Sequence, residues 1–418
     1  MPKLCRSILA AVSLAGCVHA QGVPAGYTLV ELRPLGGGTE SFVSSINDRG
    51  EIVGRTEFGT GPVATRWDLA GSASLITFLG GGSATDAVSI NNEGSMLVEC
   101  GSCVLGFGVR LTDGTLLALP PVPPMPGSGI ERVAPSLTSS GSVGGVFTAV
   151  NDTSGNLEAF AVQWELDSGP QITVADVRLI ASPLDLGSRT DGVLASNGVQ
   201  YFGGSSGGGS AEVSRLDVRT DVLTDIAPLG IDFAEIIGAN SANQFVSVEA
   251  LGRALAAVFY SAGDPPEQII PINCDDFPDP NDCFAKNDAP LLPAALNENG
   301  LVVGSSIVLA DLGDGFPIDV GNSAFVWSSA EKTVDLADKL IDPSADGWSL
   351  VDPSVAESGP SSINTLGMIV GNGINPMGQP AAYVLIPRPP CAADVNRNGE
   401  VAPNDFNAWI LAFNNGCD

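Results

Sequence analysis

Ile46-Asn47-Asp48-Arg49-Gly50-Glu51-Ile52-Val53-Gly54 returns as Leu296-Asn297-Glu298-Asn299-Gly300-Leu301-Val302-Val303-Gly304, and again as Ile363-Asn364-Thr365-Leu366-Gly367-Met368-Ile369-Val370-Gly371. A shorter copy is Ile90-Asn91-Asn92-Glu93-Gly94. A phrase repeated at long spacing marks one supersecondary unit used many times. In the first copy Phe42 to Ile46 reads as a short apolar strand. Asn47 to Gly50 reads as a turn, because Asn and Asp bond their own backbone and Gly takes positive φ without steric cost. Glu51 to Gly54 returns as a second strand, Ala64 to Trp67 forms a third, and Ser74 to Leu79 a fourth before Gly80-Gly81-Gly82. The unit is a four-stranded meander of β-branched and aromatic residues with polar turns.

Scanning for that unit finds seven candidates. The strong turns start at Asn47, Asn91, Asn297 and Asn364, and degenerate ones lie at Thr138, Ala195 and Ala239. The third-strand phrase recurs as Ala159 to Trp164, Ala257 to Tyr260, Ala324 to Trp327 and Ala381 to Val384. Spread over residues 27–387, seven units average about 52 residues, near the repeat length of kelch-type blades. The last copy stops at its third strand. An orphan strand, Tyr27 to Leu32, precedes the first and ends in Leu35-Gly36-Gly37-Gly38, as the fourth strand ends in Leu79-Gly80-Gly81-Gly82. The orphan can therefore complete the last unit and protect the sheet edges. The expected fold is all-β, a seven-bladed β-propeller-like repeat body over 21–387 closed by the N-terminal strand, plus a small C-terminal calcium loop-helix module. Six or eight blades stay open, because the middle copies are degenerate.

The pattern of an apolar residue, Asn, two variable positions, Gly and Ile-Val-Gly, followed by Ala-Phe-x-Trp, resembles the bacterial extracellular HAF repeat family. The match covers most of residues 27–387 and is strongest in units one, six and seven. The resemblance implies an exported, β-rich protein and brings no catalytic residue with it.

Residues 1–20 read as an export signal: Lys3 and Arg6, then an apolar run from Ile8 to Ala15, then Val18-His19-Ala20 as a cleavage site. Leu14-Ala15-Gly16-Cys17 inside it also fits a lipobox, which would leave a lipidated Cys17. No other stretch reaches the ~18 apolar residues of a membrane span. Losing Lys3 and Arg6 takes the net charge from −29 to −31. Such a surface repels nucleic acid and anionic membrane, which need clustered Lys and Arg. Cleavage also removes His19, the only histidine. Ser-His-Asp and Cys-His hydrolysis, His-ligated zinc and histidine proton shuttles are then excluded by composition. Gly203-Gly204-Ser205-Ser206-Gly207 fits G-x-S-x-G, but no base is present to activate Ser205, and the stretch reads as a flexible loop. Six cysteines remain in local pairs, Cys100 with Cys103, Cys274 with Cys283, and Cys391 with Cys417. An even count in an exported chain reads as disulfides.

Two insertions interrupt the repeat. Pro120 to Pro126 is a stiff connection, and 273–290 is an acidic loop around Cys274 and Cys283. A Pro-rich linker at 388–390 leads to residues 391–418, where the composition changes. Asp394 to Asp405 fits a twelve-position calcium loop. Asp394, Asn396 and Asn398 supply oxygen ligands at positions 1, 3 and 5, Gly399 turns the chain at 6, Glu400 offers its carbonyl at 7, and Asp405 gives a carboxylate at 12. Phe406, Trp409, Ile410 and Phe413 then form one helical apolar stripe. A piece this short cannot bury that stripe alone, so Ca²⁺ and a Cys391–Cys417 bond are expected to supply the missing stability. The module resembles half of a type I dockerin, and more closely a dockerin-like anchor ending in Gly416-Cys417. Dockerins carry two such loops. The single loop, with Asn398 in place of the commoner Asp, implies surface sorting or attachment rather than tight cohesin-type docking.

Together these readings predict a secreted or cell-surface, non-catalytic binding and adhesion scaffold. Its expected partners are a cell-envelope or cohesin-like protein and a polysaccharide, with no nucleic acid. The rival reading is a secreted carbohydrate-active enzyme with paired carboxylates on a propeller face.

Overall fold

A computed structural model of the protein describes residues 23–388 apart from 80–83, 101–102, 104–106, 120–129, 134–135, 138–142, 151–156, 167–171, 182–190, 196, 206–210, 218–221, 227–233, 252–253, 270–291, 312–316, 341–344, 353 and 356. The fold is all-β. Among the described residues the strands group into seven antiparallel sheets. Sheet one is a meander of Glu40–Ile46, Ile52–Glu57, Val63–Trp67 and Ala73–Leu75. Sheets two to six follow in chain order over 86–118, 130–181, 191–226, 234–269 and 292–335. Sheet seven takes three strands from the end of this body, Gly359–Ile363, Ile369–Ile374 and Pro380–Pro387. Its fourth is Tyr27–Leu32, the orphan strand predicted from the sequence. The pairing is antiparallel and in continuous register from Tyr27 opposite Pro387 to Leu32 opposite Ala382.

Each sheet packs on the next in sequence, and Glu40–Ile46 of sheet one packs on Gly359–Ile363 and Ile369–Ile374 of sheet seven. The junctions between sheets are the core. The aromatic residue that ends the third strand plugs the junction with the preceding sheet. Trp67 sits with Val370, Ala382 and Val384 of sheet seven, and Trp327 sits with Val246, Ala257 and Phe259 of sheet five. The Trp67 indole N–H is satisfied by the Arg33 carbonyl at 2.6 Å.

The repeated phrase has a local explanation at its glycines. Gly50, Gly300 and Gly367 hold φ of 74°, 81° and 80°, the left-handed turn region that side-chain-bearing residues resist. The final glycine has a different role. A Cβ on Gly54, Gly304 or Gly371 would collide with the carbonyl oxygen of Phe42, Leu292 or Gly359 on the adjacent first strand, where each pair is irregular in register.

Three expectations need correction. The fourth strand of sheet one stops at Leu75, because Leu79 leaves the sheet and donates its N–H to the Gly114 carbonyl of the next unit at 2.9 Å. The turn of unit five begins at Asn240, not Ala239, since Ala234–Ala239 is all strand. Gly203 to Ser205 lie in the strand Val199–Ser205 rather than a loop; a side chain on Gly203 would strike the Ala234 carbonyl of the neighbouring sheet. Cys100 and Cys103 are bonded as expected, with Cα atoms 5.4 Å apart. Cys274, Cys283, Cys391 and Cys417 lie outside the described residues.

Trp67 and Trp327 are each 1 % exposed. Trp327→Ala is expected to cost about 3–5 kcal/mol, read as a lower urea midpoint, whereas Met377→Ala, on a 73 % exposed side chain, should change stability by less than about 0.5 kcal/mol.

Candidate functional site

The turn asparagines converge on one end of the sheet assembly. Each is buried, and each of Asn47, Asn240, Asn297 and Asn364 does two jobs. Its Oδ1 holds its own turn by accepting backbone amides two and four residues on: Arg49 and Glu51 for Asn47, Ala242 and Gln244 for Asn240, Asn299 and Leu301 for Asn297, all at 3.0–3.1 Å. Its Nδ2 leaves the turn and donates to the main-chain carbonyl of the equivalent asparagine on the next sheet. Asn47 reaches Asn91 at 2.8 Å, Asn240 reaches Asn297 at 3.0 Å, Asn297 reaches Asn364 at 2.9 Å, and Asn364 reaches Asn47 at 2.9 Å. Sheet four has Ala195 at this position, and Asn197 makes the crossing instead, donating to the Ser241 carbonyl at 2.9 Å.

A second tier surrounds the first. Asp48 accepts from the Thr365 N–H at 2.8 Å, the Thr365 hydroxyl at 3.1 Å and Asn92 Nδ2 at 2.7 Å. Glu298 accepts from the Ser241 N–H at 2.9 Å and its hydroxyl at 2.5 Å. Asn47, Asp48, Asn91, Asn92, Asn297, Glu298, Asn364 and Thr365 thus line a shallow polar mouth of about 160 Å³. Its donors and carboxylates are largely spent on each other, which makes it a structural girdle with a weakly negative rim. Among the described residues no three His, Cys, Asp or Glu side chains gather as metal ligands.

Sequence reasoning assigned these asparagines to hairpin chemistry alone. The crossing bond was invisible because it joins residues 44 to 317 positions apart. The calcium ligands expected from the sequence, Asp394, Asn396, Asn398, Glu400 and Asp405, lie outside the described residues.

At the other end of sheet one, Arg55 gathers three carboxylates: Glu57 of its own sheet at 3.0 Å, Asp86 of sheet two at 3.0 Å, and Glu357, in the connection just ahead of sheet seven, at 3.1 Å. Its guanidinium also lies over the Phe42 ring, 4.6 Å from the centroid. Burial pushes the Asp86 carboxyl above the usual carboxylate range, against the pull of Arg55. The arginine engages an oxygen of each acid, so the cluster ties sheets together rather than presenting two free carboxylates to a substrate.

No family model matches the chain, and no curated protein matches it. Solved structures do. A puromycin-hydrolyzing peptidase from Mycobacterium tuberculosis aligns at a TM-score of 0.50 and 13 % identity over 88 % of this chain and 55 % of its own. The acylaminoacyl peptidase of Pyrococcus horikoshii aligns at 0.50 and 6 % identity over 86 % and 54 %. TolB from Acinetobacter baumannii aligns at 0.34 and 17 % identity over 57 % and 62 %. The chain therefore spans little more than half the length of these proteins. At such identities the likeness shows the fold class, an all-β, β-propeller-like scaffold, and no activity.

Asn364→Asp keeps the Oδ1 acceptor and removes the crossing donor, setting a carboxylate against the buried Asn47 carbonyl. A loss of about 1–3 kcal/mol is expected at neutral pH. The new carboxyl should titrate higher in the folded than in the unfolded state, because only its protonated form can donate. The folded state then binds the extra proton, so the variant should recover stability as pH falls. Urea unfolding of both proteins between pH 7 and pH 4 reads this out.

Proposed function

We propose that the chain is an exported binding scaffold built as a closed, seven-bladed β-propeller and attached at the cell surface through its calcium-dependent C-terminal module. The observation that carries the architectural part is the bond from Asn364 Nδ2 to the Asn47 carbonyl. It repeats, between the seventh sheet and the first, the link that joins neighbouring sheets elsewhere. The strand Tyr27–Leu32, in full register on Pro380–Pro387, supports the same closure. A velcro of this kind makes the first strand part of the last blade and ties the two ends of the body together.

The non-catalytic reading is supported by what the recurring polar residues do. Each is consumed in holding turns and sheets together, so the variable residues carry recognition. Export, the HAF-type repeat and the dockerin-like tail are read from the sequence: the signal at 1–20, the phrase itself and the ligand spacing at 394–405. A cell-envelope partner for that tail follows from the same reading.

Two measurements test the proposal. If Tyr27–Leu32 closes the ring, Leu32→Ala should lower one cooperative unfolding transition of the whole body by about 2–5 kcal/mol, since Leu32 is fully buried against Val370, Ala382 and Val384. An unchanged midpoint would argue against closure. Calorimetric titration of the chelator-stripped full-length chain with Ca²⁺ should show a saturable site that Asp394→Ala removes; heat that survives this substitution would sink the calcium assignment.

A further inference from the structure

The junction between sheets four and five departs from the repeat at Arg215, Tyr260 and Glu249, and the first two line one groove. The two turns at this junction align with that of sheet one by the same pair of backbone bonds. Asn47 N–H donates to Glu51 O and Gly50 N–H to Asn47 O; Ala195 and Gly198 do so to Val199 and Ala195, and Asn240 and Asn243 to Gln244 and Asn240. Cross-strand register then fixes equivalent positions. Val53 faces Arg66 in sheet one, and Tyr201 faces Arg215 in sheet four. Ile52 faces Trp67 in sheet one, and Phe245 faces Tyr260 in sheet five.

Arg66 is paired with Glu51 at 2.6 Å. The position of Glu51 is taken by Val199 in sheet four, so Arg215 inherits the cation without its carboxylate. Among the described residues no acid lies within ion-pair distance of Arg215, whose charge instead acts on the Tyr201 hydroxyl. Opposite it, the plug that is Trp67 in sheet one is the smaller Tyr260. The Tyr260 hydroxyl is drawn down to Glu249, which accepts from it at 2.6 Å and from the Ser247 hydroxyl at 2.7 Å, fully buried at the base of the junction. Tyr260 stacks on Phe245 at 4.4 Å and 6°, and Phe245 meets Tyr201 at 4.9 Å.

What remains is an open groove of about 400 Å³ whose floor rests on these three rings, each 6 % exposed or less, with Arg215, Thr224 and Pro266 along its sides and Asn243 and Asp264 at the rim. That size suits one small ring compound. A half-buried guanidinium that meets no acid among the described residues keeps its planar fork free, and that fork matches a carboxylate. The net charge of −29 repels anions at long range, so Arg215 acts on a ligand only at contact.

We propose that this groove binds a small organic acid that combines a flat-faced ring with a carboxylate, the ring seated between Thr224 and Pro266 above the buried aromatic floor and the carboxylate on Arg215. The site stands whether or not the C-terminal module binds calcium. The full chain would be titrated by calorimetry with 4-hydroxybenzoate and with galacturonate, each beside a neutral counterpart, benzyl alcohol and galactose. Saturable binding of either acid, at least about tenfold tighter than its neutral counterpart, is expected, and the acid that binds tells an aromatic ligand from a sugar acid. Arg215→Met should weaken it at least about tenfold with an unchanged unfolding midpoint. Val199→Glu sets a carboxylate where sheet one has Glu51; it replaces a buried side chain and should lower the unfolding midpoint, but in protein that remains folded it should abolish acid binding. Failure of both acids to saturate, or binding that survives Arg215→Met and Val199→Glu in folded protein, overturns the proposal.

Discussion

The crossing bond from an asparagine Nδ2 to the next sheet's main-chain carbonyl is the constraint on which the assembly rests. Apolar packing between sheets is strong but non-directional, and it tolerates sliding. The amide is directional and buried, so it fixes how far along its neighbour each sheet sits. Few side chains can replace it. Aspartate holds the turn but cannot donate, while serine lacks separate atoms for the two tasks. Glutamine adds a methylene to a side chain whose reach is already set at both ends. Sheet four, with Ala195 in place, makes its crossing through Asn197 instead, to the exposed Ser241 carbonyl.

The other stabilising contacts follow the same division of labour. Trp67 and Trp327 fill the junctions at mid-height. At the end opposite the turns, Arg55 ties sheet one to sheet two and to the connection ahead of sheet seven, its charge balanced by an acid from each. Arg215 differs from Arg55 in this respect, since among the described residues no acid lies within ion-pair distance of it.

Features of short range were legible in the sequence. The turn at Asn47 to Gly50, the third-strand aromatic and the strand Tyr27–Leu32 all follow from local chemistry and from period-two alternation. The turn of unit five was misplaced by one residue because it lacks the signature glycine: Asn243 takes the left-handed position, at φ 59°. Glycines around Ser205 looked like a loop, since sequence does not reveal that a neighbouring carbonyl demands a missing side chain. The Arg55 cluster was illegible for a different reason, with partners 31 and 302 residues away. Glu249 reads as a solvated strand acid until the packing of two sheets encloses it.

A repeat that satisfies its own polar groups has little chemistry left to offer. At the turn end the amides, Asp48 and Glu298 are bonded to one another, and at the opposite end Arg55 spends its donors on its neighbours' acids. Ligand recognition therefore has to arise where a unit breaks the pattern. Such breaks normally compensate, as Asn197 does for Ala195. At the fourth junction they do not: the plug is smaller, the carboxylate is missing, and the buried Glu249 holds the tyrosine away from the space it would otherwise fill. A ligand acid seated in that open groove would displace water from its apolar floor and give Arg215 the carboxylate it lacks among the described residues, so its binding would add to the stability of the folded state.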